Sequence, residues 1–200
     1  MKKSFFFIAV VLCLLFLCGC SESYSVETNQ EFRLIENDCN DIVPFVQEIE
    51  EIAKSKNRQL KLNVIKLYYD SDFNLEIDFT FSAEQDKNIG HNFIITYDAS
   101  KKGVTKSEYV FGTKKVASVS SVELNYKRWN VSFEEGIEQI KNQLKQHSIS
   151  DFDRINVFCY EKVWSYDVWL NDGFNKKEDC ITLKIKTGGG SQRTGDGSLS

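Results

Sequence analysis

Phe73-Asn74-Leu75-Glu76-Ile77-Asp78-Phe79-Thr80-Phe81 alternates apolar with polar residues without a break. Successive side chains of a strand point to opposite faces, so this run predicts a strand with one buried and one wet face. Ninety-one positions later, Trp164, Tyr166, Val168 and Leu170 repeat the alternation. The flanking segments repeat as well. Ile65, Leu67 and Tyr69 precede the first run, and Ile155, Val157 and Cys159 precede the second. Phe93, Ile95 and Tyr97 follow the first, and Ile181, Leu183 and Ile185 follow the second.

Upstream of each set the period changes. Ile42, Val46, Ile49 and Ala53 fall at i, i+4, i+7 and i+11, one stripe of a helix, and Phe133, Ile137, Ile140 and Leu144 show the same spacing. Ser132 followed by Glu135 forms a capping box at the start of the second helix. The first can start at Asn40 or Asp41, with Pro44 tolerated in its first turn. Short links make meander strands antiparallel, and a helix on one face buries their apolar phase. The expected fold class is therefore α+β, two tandem helix-plus-antiparallel-meander units. They form one domain over 39–187, with the repeat at about 40–98 and 131–187. A stretch at 104–128, with Tyr109-Val110-Phe111 and Val122, Leu124 and Tyr126 in alternation, is expected to add one or two strands to the first half.

The N-terminus has a different character. Lys2 and Lys3 lead into an apolar run from Phe5 to Cys18, about the length of a signal-peptide core and short of the ~20 residues that span a bilayer. The run closes on Leu17-Cys18-Gly19-Cys20. This resembles the lipobox of bacterial lipoproteins, with Cys18 bulkier than the usual small residue. The resemblance implies that residues 1–19 are a signal peptide cut after Gly19, and that Cys20 carries a diacylglyceryl group. Two or more acyl chains anchor a protein stably. It also implies lipid anchoring on the extracytoplasmic face of a bacterial membrane. Ser21, not being aspartate, would sort the protein to the outer membrane where the host has one. Residues 20–38 read as a lipidated, polar tether and 188–200 as a disordered Gly/Ser-rich tail. The order of helices and strands is similar to PepSY-type and β-lactamase-inhibitor-like envelope proteins, in layout alone.

Loss of Lys2 and Lys3 leaves 23 basic against 29 acidic residues, so the processed chain carries about −6. That charge argues against nucleic acid as a partner. Cys39, Cys159 and Cys180 remain as thiols in an oxidising compartment. Cys159 shares the buried phase of its strand and is expected to stay reduced. Cys180 has the opposite phase to Ile181, and any bridge is expected between Cys39 and Cys180. No catalytic or cofactor motif emerges. His91 and His147 stand alone, without a second histidine at metal-ligand spacing. Asp70-Ser71-Asp72-Phe73-Asn74 starts like a calcium loop, but the sixth and twelfth positions are Leu75 and Phe81, so it reads as a turn. Asn171-Asp172-Gly173 is likewise a turn.

One feature is unusual. Phe158, Tyr160 and Trp169 fall on the nominally wet phase of the second meander. A half-exposed sheet is polar on that side. Either this face packs internally or it is an aromatic binding patch. The expectation for function is a membrane-anchored, non-enzymatic protein-binding domain in the cell envelope, engaging a protein partner. The alternative is an envelope hydrolase whose catalytic residues the sequence does not name.

Overall fold

A computed structural model of the chain describes residues 24–83, 91–112, 123–160, 162–170 and 180–188. The expected signal peptide 1–19, the lipobox residues Leu17, Cys18, Gly19 and Cys20, the turn at Asn171-Asp172-Gly173 and the tail from 189 lie outside these residues.

The elements run β1 (Tyr24–Asn29), β2 (Arg33–Leu34), α1 (Ile42–Lys56), β3 (Leu60–Asp70), β4 (Leu75–Ala83), β5 (His91–Asp98), β6 (Gly103–Gly112), α2 (Phe133–Gln146), β7 (Arg154–Cys159), β8 (Val163–Trp169) and β9 (Cys180–Lys186). All nine strands form one antiparallel sheet in the order β1-β6-β5-β4-β3-β7-β8-β9, with β2 also on β6. This corrects the expectation of two separate helix-plus-meander units. The two meanders are joined through their first strands, with Ile65 opposite Cys159, Leu67 opposite Val157 and Tyr69 opposite Ile155. The physical reason is edge closure. Two separate sheets would each leave an inner edge of unpaired N–H and C=O groups, and pairing β3 with β7 satisfies both.

Joining the meanders also gives both helices a common core. The apolar phases of all the strands share one face. Phe79, Ile65, Cys159 and Trp164 form one cross-strand row, and Ile77, Leu67, Val157 and Tyr166 the next. On α1, Ile42, Val46, Ile49 and Ala53 are buried as the spacing predicts, and Phe45 and Ile52 join them. Phe45 packs edge-on against Phe79 and Tyr97, with ring centroids 5.7 and 4.9 Å away. On α2, Phe133, Ile137, Ile140 and Leu144 are buried, and Ser132 and Glu135 close the expected capping box. The Asn40 carboxamide oxygen accepts from Glu134 N at 3.1 Å, so the segment leading into α1 satisfies a first-turn donor of α2.

Three local departures have local causes. Phe73, expected as the first residue of a strand, sits in the turn with φ 61°, and β4 begins at Leu75. The Asp70 carboxylate accepts from Asp72 N, Asn74 N and Asn74 Nδ2, which closes that turn without a metal ligand set. Leu124 and Tyr126, expected in an added strand, do not extend the sheet. Tyr126 to Arg128 form a 3-10 turn, and Leu124 N donates to Leu62 O. Finally, part of the segment read as a tether is structured: β1 and β2 pair with β6 from Tyr24 onward. Among the described residues no helix is long and apolar enough to cross a membrane.

Candidate functional site

Both helices lie on one side of the sheet, so the polar phase of the strands makes up the other side. Register arranges it in rows. Lys106, Thr96, Asp78, Lys66, Phe158, Ser165 and Lys184 stand side by side across seven strands. The next row runs Asp98, Glu76, Tyr68, Asn156, Asp167 and Thr182. A third holds Asp70, Arg154, Trp169 and Cys180.

Asp78 organises the centre. The Thr96 hydroxyl donates to its Oδ1 at 2.7 Å, and the Tyr68 phenol hydrogen-bonds the same carboxylate. Thr96 is only 4 % exposed, although it belongs to the polar phase. Burial and the Asp78 charge push the Tyr68 phenol up to about 12. Beside it, burial and the neighbouring Asp78 carboxylate raise the Glu76 carboxyl. At the adjoining turn, Lys101 and Ser100 donate to Asp98 and hold its carboxyl down at about 2. Among the described residues, no three His, Cys, Asp or Glu side chains are placed to hold a metal ion.

The three aromatic residues singled out from the sequence all project from this side. They do not form one patch. Phe158 lies under the Lys66 ammonium, 5.5 Å from ring centroid to Nζ, whereas Trp169 lies under the Arg154 guanidinium at 5.8 Å. Ser165 is opposite Phe158, and Trp169 is four residues further along β8, ~13 Å away. Tyr160, just beyond β7, is 54 % exposed. The aromatic rings are thus paired with cations across strands, and Asn156 and Asp167 lie between the two pairs.

The thiols are dispersed. Cys39, Cys159 and Cys180 are all free. Cys159 is buried in the core, as its phase predicts. The expected bridge between Cys39 and Cys180 is not formed, and the sheet explains why. Cys180 is in register with Trp169, on the side away from the helices. Cys39 leads into α1 on the helix side, where it lines a shallow hollow of about 180 Å³ with Asn37, Tyr97 and Lys102. Burial and the Asp38 carboxylate raise the Cys39 thiol, which disfavours a nucleophilic thiolate. A second hollow of about 330 Å³ is lined by Glu50, Leu124, Tyr126 and Lys127. His147 is the exposed C-cap of α2, and the His91 side chain lies outside the described residues.

Sequence reasoning located the aromatic residues and the Asp70 turn but missed the Tyr68–Asp78–Thr96 network. Its signal was present in the polar phase of the alternating runs. Reading it required knowing which strands are neighbours.

No family model matches the chain, and no characterised protein matches it in sequence. Among solved structures, it is similar to an acyl-ACP thioesterase from Bacteroides thetaiotaomicron. The TM-score is 0.20 and the identity 9 %, over 81 % of this chain and 97 % of that one. It is similar also to an inactive mutant of the CurK dehydratase, with TM-score 0.18 and 8 % identity over 82 % of this chain and 66 % of that one. Likenesses this slight carry no argument about activity.

Proposed function

We propose that the protein is a lipid-anchored component of a bacterial cell envelope that binds another protein through the open side of its sheet. The anchor reading is supported by Leu17-Cys18-Gly19-Cys20 at the end of the apolar leader. The binding reading is carried by one observation: the sheet side away from the helices presents Phe158 and Trp169, each beneath a cation, and Tyr160 is exposed just beyond the end of β7. Tyr, Trp and Arg are the residues most enriched among binding hot spots. Rigid aromatic rings set in a sheet lose little conformational entropy on association. Polar groups around them, such as Asn156, Asp167 and Ser165, suit a wet rim of hydrogen bonds.

The test is a crosslinking pull-down from native membranes, run in parallel with the unaltered chain and with Trp169→Ala. A hot-spot role predicts that recovery of the crosslinked partner falls ~30-fold, equivalent to ~2 kcal/mol. The melting temperature should stay within a few degrees of the unaltered chain. Equal recovery from both chains, or a large drop in melting temperature, overturns the assignment of this face.

A further inference from the structure

Three of the large apolar side chains most exposed to solvent lie along one edge of the sheet. Val26 is 44 % exposed, Phe32 55 % and Leu34 60 %. Register puts them on the same side. Val26 is opposite Val110 and Leu34 opposite Gly103, and both β6 partners belong to the phase that faces away from the helices. Phe32 lies over Gly103, where a Cβ would collide with its ring. Glycine at 103 thus makes room for a phenylalanine that is itself more than half exposed. Along β6, positions 103 to 110 span ~23 Å, so the three residues mark out a stripe with two apolar ends, Val26 at one and Phe32 with Leu34 at the other, with Thr28, Glu108 and Lys106 between them.

The position of this stripe in the chain gives it meaning. Only Ser21, Glu22 and Ser23 separate Cys20 from Tyr24, where β1 begins its six register pairs with β6. Four residue steps reach at most ~14 Å. A lipid on Cys20 therefore holds the β1 edge at the bilayer, and a long flexible tether is excluded. We infer that the stripe formed by Val26, Phe32 and Leu34 rests in the surface of the bilayer that carries the lipid. The inference depends on the anchor reading proposed above. Charge around the stripe is mixed and forms no polybasic cluster: Glu27, Glu31 and Glu108 alternate with Arg33, Lys102 and Lys106, and the processed chain is acidic as a whole. The contact is therefore apolar and insensitive to salt, since a polybasic grip would be needed for salt dependence. Two acyl chains already hold the protein, so the stripe sets its orientation: the β1 edge lies on the membrane and β9, at the opposite end of the strand order, is the far edge.

The test uses the full chain, produced with its leader and reconstituted in phosphatidylethanolamine/phosphatidylglycerol vesicles with or without bromine on the acyl chains. Phe32→Trp and Leu34→Trp each add a fluorophore within the stripe, and Thr182→Trp adds one on the far edge. Mass analysis of the N-terminal peptide reports separately whether Cys20 carries lipid. Bromine should remove at least half of the added emission at position 32 or 34 and leave that at 182 unchanged, equally at low and high salt. Lipid on Cys20 with no quenching at 32 and 34 overturns this inference alone, and burial of the stripe against a second copy would give that result. Absence of lipid on Cys20 overturns the anchor reading and this inference with it. Hydrogen exchange of the unaltered protein is an independent reading that needs no variant: amides of 26–34 should slow on vesicles, and unchanged exchange there counts against the contact.

Discussion

Gly136 sits where α2 crosses β8, and a Cβ at that position would meet the Tyr166 hydroxyl and the Trp164 ring, the latter at 2.9 Å. Trp164 and Tyr166 are among the most completely buried large side chains, so neither can swing away. Intrinsic helix propensity favours Ala over Gly by ~1 kcal/mol. Overpacking a filled core costs ~1–3 kcal/mol. The second effect wins here, and Gly136→Ala should lower the unfolding free energy, measured as an earlier denaturant midpoint with unchanged slope. A rise in the midpoint would mean that α2 stands further from β8 than the structure places it. Nothing in the sequence distinguishes this glycine from a helix-weakening one, because its reason lies on a strand 28 or more residues away. The burial of Thr96 is comparable. A threonine in a polar phase reads as surface, yet Asp78 on the next strand draws its hydroxyl in.

Elements were legible wherever their cause was local. The capping box of α2 involves four consecutive residues, and the Asp70 turn five, so both could be read directly. The turn between β5 and β6 is of the same kind. Asp98 accepts from Ser100 N, Ser100 Oγ and Lys101 Nζ, at 3.0, 2.6 and 2.7 Å. These donors favour the ionised carboxylate, so its folded pKa of about 2 lies below the ordinary value of 3.8. A depressed acid stabilises the fold above its unfolded pKa and loses that contribution as pH falls towards the folded one. The window is therefore about pH 4 to 2, and the effect is modest because solvent reaches the pair. Asp98→Asn should flatten the acid limb of the stability curve in that window and leave the curve above pH 5 parallel to that of the unaltered chain. An unchanged acid limb would show that the turn does not hold the charge. Elements whose cause was not local were misread. Leu124 and Tyr126 alternate like a strand, but Leu124 N bonds back to Leu62 O and the chain winds into a 3-10 turn. β1 reads as polar tether in the sequence because an edge strand with one partner needs no apolar run.

Across the whole molecule, the continuous sheet decides what the thiols can do. Cys39 lies against Tyr97 of β5, five strands from β9 or ~24 Å in the hydrogen-bonding direction, and Cys180 faces away from the side where Cys39 lies. A disulfide needs Cα atoms within ~7 Å. Alkylation without reductant should therefore modify Cys39 and Cys180 in the native protein and Cys159 only after unfolding. A peptide linking 39 to 180 would contradict the strand order. The sequence by itself determined the buried phase of the runs that became β3, β4, β5, β7, β8 and β9, the apolar stripe and start of each helix, and the Asp70 turn closed by its own side chains. Those features depend on the pitch of a helix, the pleat of a strand and hydrogen bonds spanning a few residues. Tertiary structure alone decided that the two meanders share one sheet, that both helices share one core, and that among the described residues no helix covers the remaining side. Strand pairing is a contest among edges with equivalent backbone donors and acceptors. A run such as Ile65-Leu67-Tyr69 states which face it buries, but not which of several β-edges it joins, and that choice falls to the arrangement that leaves fewest edges unpaired.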